Sequence, residues 1–176
     1  MLKWWFRTLA LFLLASAPLY AQKVSFDWDK DVDFSHYQTY KWIDEGRQAA
    51  NASTGERIVG GINIQLQAKN LTLTTTDKAD LYVAYQAITA NSGQVTSFNP
   101  DGQWQASLTS TGQPSKTKPG SPVKGTLVVD IYDHNMKKLI WRGTISGAFE
   151  SRQQVNYMVG KGLSQLFTKF PPPPTK

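Results

Sequence analysis

The sequence predicts an α+β fold: an antiparallel β-sheet with two helices packed on one face, one after the first strands and one at the C-terminus. Three observations predict it. Two long apolar runs, Gly125 to Asp133 and Leu139 to Ile145, flank a short polar turn, the pattern of a β-hairpin. Ile58, Ile62 and Leu66 recur at helical spacing, as do Val155, Val159, Leu163 and Leu166. The other apolar segments alternate with period two, as half-buried strands do.

Ahead of that pattern stands an export leader. Lys3 and Arg7 form a positive region, and Leu9 to Ala15 an apolar one shorter than the roughly 20 residues that span a membrane. Ala15-Ser16-Ala17 offers one peptidase site, but Pro18 directly after it is a poor substrate. Cleavage is therefore expected between Ala21 and Gln22. The expected organisation is a signal peptide over 1–21, a single domain over 22–170 and a proline-rich tail over 171–176.

Val24, Phe26 and Trp28 alternate with polar residues and read as a strand. Asp33 to Tyr37 reads as a capped turn, and Thr39 to Ile43 as a second strand. Asp44 to Ala52 is polar and is expected to be a loop. Ser53 and Glu56 fit a capping box at the start of the first helix, and Asn70 fits its left-handed stop. Gly60 and Gly61 fall inside that helix, where close packing on the sheet would explain them. Ala79 to Ile88 is strand-like, and Asn99-Pro100-Asp101-Gly102 suits the turn of a small hairpin. Ser107 to Lys124 is a long polar segment without an acid, expected to be a loop. In the main hairpin, Asp130 placed opposite Arg142 sets Ile131 opposite Trp141 and Leu127 opposite Ile145. That register leaves one face apolar and puts the ion pair on the other. Ser151 caps the last helix and Pro171 follows its end.

The chain carries a formal charge of +6, part of it in the leader, so its attraction to anionic surfaces is mild. Export argues against nucleic acid as a partner. With Cys 0, disulfides, thiol nucleophiles and thiolate metal sites are excluded.

Three stretches in order carry a family resemblance: Asp33-Phe34-Ser35 with Tyr37, Thr39-Tyr40 and Trp42; Ala79-Asp80-Leu81 with Val83 and Tyr85; and Gly125 to Ile131 with Lys137 to Gly143. Together they resemble the bacterial envelope family of unknown function numbered 4136. The resemblance implies a Gram-negative periplasmic or outer-membrane-associated protein and brings no known activity. Many members resemble lipoproteins with a cysteine after the signal. Gln22 stands there in this chain, so a lipid anchor is not implied.

Asp27, Asp29, Asp31 and Asp33 recur at alternate positions, but a calcium loop begun at Asp27 needs Gly and Glu where Val32 and Gln38 stand. The alternative is a charged edge strand. Asp130 and Arg142 read as a structural cross-strand pair. His36 and His134 lack a sequence partner for acid–base work, and no nucleophile elbow, zinc motif or phosphate loop occurs. No cofactor or metal is expected. Trp28, Trp42 and Trp141 are expected in the core, whereas Trp104 is the tryptophan expected to be exposed. Trp104 with Lys116, Lys118 and Lys124 forms a candidate interaction surface for an envelope protein, lipid or glycan.

The leading expectation is a non-enzymatic accessory or binding module of the periplasm, with no membrane-spanning segment after processing. A carboxylate-based envelope hydrolase and a structural interaction protein are the alternatives.

Overall fold

The computed structural model describes residues 22–48, 52–89, 97–98, 104–105, 123–149 and 151–173. The leader with Ala21, the Asn99 to Gly102 turn, Lys116 and Lys118 lie outside the described residues.

Strands β1 (Lys23–Trp28) and β2 (Thr39–Gln48) precede helix α1 (Ala52–Gln67). Strands β3 (Thr72–Leu73), β4 (Leu81–Thr89), β5 (Ser97–Phe98), β6 (Trp104–Gln105), β7 (Val123–Asp133) and β8 (Lys138–Phe149) follow, and helix α2 (Arg152–Phe167) comes last. Six strands form one sheet in the order β1-β8-β7-β4-β2-β3, while β5 and β6 pair separately. The hairpin of β7 and β8 has the register its apolar pattern suggests: Leu127 faces Ile145, Asp130 faces Arg142 and Ile131 faces Trp141. A register shift follows Ile131, so Tyr132 faces Leu139.

The sheet is mixed, not purely antiparallel. β2 runs parallel to β4, Tyr40 opposite Leu81 and Trp42 opposite Val83, and β2 also runs parallel to β3. The cause is α1. A helix between two neighbouring strands carries the chain back to its starting end, so the second strand re-enters in the same direction. The expected loop from Asp44 is also corrected: β2 continues through Gln48, with Arg47 opposite Tyr85 across an irregularity. Backbone pairing to β4 holds this polar segment in the sheet despite its sequence. Likewise Lys124 is exposed on β7, not in the preceding loop.

Ile58, Ile62 and Leu66 of α1 and Leu163, Leu166 and Phe167 of α2 join Leu81, Val83, Leu127, Val129, Ile131 and Trp141 in one core. Each such side chain fully buried contributes about 1.5–3 kcal/mol. The helices also pack on each other. A Cβ on Gly61 would lie 2.7 Å from Leu163 Cδ1, so this glycine serves helix–helix contact and not the helix–sheet contact expected. Gly60 has nothing within 4 Å of such a Cβ, and no contact explains it. Beyond the end of α1 at Gln67, the Leu71 amide reaches back to the Leu66 carbonyl at 3.1 Å, with Asn70 left-handed at φ 64. Ser151 caps α2, its side chain accepting from the Gln154 amide.

Trp42 and Trp141 are buried as expected. Trp28 is only half-buried on the edge strand, stacked on Phe26 at 5.3 Å with the Lys30 ammonium over its ring.

Candidate functional site

The two ends of the sheet are built differently. At one end β4 and β8 begin and β7 finishes, and polar side chains tie the chain together. Asp33 caps a short 3₁₀ turn, Phe34–His36, accepting from the Ser35 amide at 2.9 Å. That turn buries Phe34 and aims Tyr37 inward, where its hydroxyl donates to Asp133 Oδ2 at 2.5 Å. The Met136 amide donates to the other Asp133 oxygen at 2.6 Å, so this carboxylate, 4% exposed, has both oxygens engaged. Burial and the Asp133 contact push the Tyr37 hydroxyl well above its ordinary pKa.

Asp80 Oδ2 accepts from the Gln38 amide at 3.0 Å, the Thr39 amide at 2.8 Å and the Thr39 hydroxyl at 2.7 Å. The Asp80 amide returns a bond to that hydroxyl at 3.0 Å. Burial works against ionisation of Asp80, but these donors outweigh it and hold the carboxyl below its usual pKa. Asn63 Oδ1 on α1 accepts from Tyr40 and Trp42 at 2.9 and 3.0 Å. The polar signature residues Asp33, Tyr37, Thr39, Tyr40, Trp42 and Asp80 are thus spent on the scaffold.

The four alternating aspartates have separate tasks. Asp27 is exposed on β1, Asp29 pairs with Lys138 at 2.5 Å and Asp33 is the cap. Asp31 donates its amide to Asp29. Among the described residues no group of three or more His, Cys, Asp or Glu is arranged to hold a metal ion. His36 lies against the Tyr37 ring and His134 against Tyr82.

Asp130 and Arg142 lie mid-sheet on the face away from the helices. Arg142 Nε donates to Asp130 Oδ1 at 2.6 Å and Nη2 to Oδ2 at 2.8 Å, a bidentate fork. The carboxylate of this pair is buried. Asp130 is 2% exposed, because this face has its own apolar cluster of Ile43, Ala84 and Tyr132.

At the opposite end the helices and sheet part to leave a cavity of about 770 Å³. Its floor is Ala87 and Ile88 of β4, Gly125 to Leu127 of β7, and Ile145 and Phe149 of β8. The first turns of α1 supply Ser53, Thr54 and Arg57, and those of α2 supply Val155, Asn156, Met158 and Val159. Gly125 lies in the floor, and a second glycine stands next to it in the sheet. Gly125 faces Gly147 across the hairpin. A Cβ on Gly125 would sit 2.6 Å from Phe149 Cε1, and one on Gly147 would strike Met158. Their absence lets those side chains fold over the sheet. Val155 and Val159 continue the stripe of buried Leu163 and Leu166, yet stay half-exposed because the cavity lies beneath them. Its volume falls within the roughly 300–1,000 Å³ of small-molecule sites.

Of the residues singled out from sequence, Asp130, Arg142 and Lys124 are described and none lines the cavity. The side chain of Trp104 lies outside the described residues. Gln22 is half-buried, its side-chain Nε2 donating to the Met158 carbonyl at 2.8 Å beside the cavity wall. Sequence reasoning missed the cavity, although the Gly125–Gly147 pairing was implicit in the hairpin register.

The sequence profile described as "Domain of unknown function (DUF4136)" matches residues 24–172. The chain belongs to the DUF4136 family. No curated protein matches this DUF4136 chain. Among solved structures it is similar to a PDZ domain protein from Parabacteroides distasonis, with TM-score 0.56 and 16% identity over 88% of this chain and 37% of that one. It thus spans little more than a third of that protein, and the likeness shows the fold alone. A PelC dodecamer from Paraburkholderia phytofirmans gives TM-score 0.48 and 10% identity over 83% of this chain and 97% of that one. No helix among the described residues of the DUF4136 domain is long and apolar enough to cross a membrane.

Proposed function

We propose that this DUF4136 protein is a non-enzymatic, exported binding module that holds an apolar small molecule at the open end of its sheet. The observation that carries this reading is the 770 Å³ cavity walled by aliphatic side chains over a floor that includes Gly125. Dry apolar walls stabilise an apolar guest by removing its surface from water, at about 25 cal/mol per Å². Export rests on the leader pattern of residues 1–21.

The hydrolase alternative finds no support in the buried carboxylates. Asp130 is held by Arg142 and Asp133 by Tyr37 and the Met136 amide, and neither lines the cavity. Carboxylate chemistry needs such groups converging on a cleft.

The test is titration with the neutral apolar dye N-phenyl-1-naphthylamine, in the exported protein and in Ala87→Phe, whose ring would fill the floor. Saturable binding of one dye per chain, lost in the variant, is the expected result. No saturable binding, or equal binding to both proteins, contradicts the reading.

A further inference from the structure

The cavity is apolar in its depth and polar at its rim, and the two zones call for different parts of one ligand. Leu127, Ile145, Val155, Met158 and Val159 make the deeper wall aliphatic. A glycan inserted there would leave its hydroxyls without partners, at about 1–3 kcal/mol for each group. An acyl chain needs none, and the flexible Met158 thioether adapts to its path. At the rim stand Ser53, Thr54 and Asn156 with Arg57, the one charged side chain among the described lining residues. No acidic residue is among those described lining residues. Arg57 is exposed and makes no ion pair with a described residue. A guanidinium fork fits a carboxylate or phosphate by two parallel hydrogen bonds.

We infer that the cavity takes a single-chain anionic amphiphile, its acyl chain inserted between α1, α2 and the sheet and its carboxylate or phosphate head held at the rim by Arg57. The inference rests on the binding-module reading and adds to it the charge and shape of the ligand. A fatty acid and a single-chain phospholipid share this chemistry.

Isothermal titration below the micelle concentrations, using dodecanoate, dodecyl phosphate and neutral dodecanol, tests it on the exported protein and on Arg57→Gln and Arg57→Lys. The protein is expected to bind at least one anion about tenfold tighter than dodecanol, as one charge-assisted hydrogen bond allows. Whichever anion binds tighter identifies the head. Arg57→Gln should erase the preference, Arg57→Lys should restore part of it, and added salt should narrow it. Equal affinity for dodecanol and both anions, or a preference that survives Arg57→Gln, overturns the inference. If the naphthylamine dye binds and neither anion does, the inference fails while the binding-module reading stands. If the dye fails as well, both fall.

Discussion

The two ends of the sheet solve opposite problems. At one, Asp33, Tyr37, Thr39, Asp80 and Asp133 satisfy one another and the neighbouring backbone, and the end is closed. At the other, glycines face each other, half-buried valines line free volume, and Arg57 stands at the rim without a partner among the described residues. Directional hydrogen bonds fix geometry and leave nothing over for a ligand. An apolar cavity forgoes packing energy, and an incoming apolar guest can supply it. On the proposed reading, stability resides at the closed end and binding at the open one.

The largest expected effect lies between the two ends. Arg142→Met should cost about 3–5 kcal/mol in urea unfolding, because it strands the buried Asp130 charge. Replacing both residues with leucine should recover most of that loss. A small cost for the single variant would mean the carboxylate is reached by water.

Next, the helices should differ along their length. Leu166→Ala, in the closed core, should cost about 2–5 kcal/mol. Val155→Ala, over the cavity, should cost well under about 1 kcal/mol, since little packing is lost there. Equal costs would mean that no cavity lies beneath α2.

A pH dependence sharpens the closed end. Hydrogen bonds hold the Asp80 carboxyl below its ordinary pKa. Its stabilisation is therefore present above the unfolded value of about 3.9 and is lost as pH falls through the lower folded value. Asp80→Asn should lower stability by about 1–2 kcal/mol at neutral pH. The gap in melting temperature between the two proteins should shrink as the pH is lowered below about 4. A gap that stays constant with pH would remove the carboxylate charge from the account.

The smallest effect separates two neighbouring glycines. Gly60→Ala should raise stability by about 0.5–1 kcal/mol, since a methyl there meets nothing. Gly61→Ala should show no such gain, because its methyl meets Leu163.

Much of this architecture was legible in the sequence. Period two fixed the β7–β8 register through Leu127, Asp130 and Ile131, because a one-residue slip exchanges the faces. The cap at Asp33 and the left-handed Asn70 were legible because each follows from local backbone chemistry. The parallel pairing of β2 with β4 was not, since it depends on where α1 returns the chain. Asp44 to Gln48 read as a loop because their pairing to β4 is non-local. Burial of Asp130 was missed although Val128 and Tyr132 flank it at alternate positions, a hint that its face was apolar too. The cavity is the hardest case. Val155 and Val159 continue the stripe of Leu163, and periodicity cannot register an absent neighbour.

The most direct measurement is amide chemical-shift mapping of residues 22–176 titrated with N-phenyl-1-naphthylamine. Shifts are predicted at Thr54, Arg57, Ala87, Thr126, Met158 and Val159, with Tyr37, Thr39, Asp80 and Asp133 unmoved. Shifts centred on that second group, or spread evenly over both ends, would contradict the account.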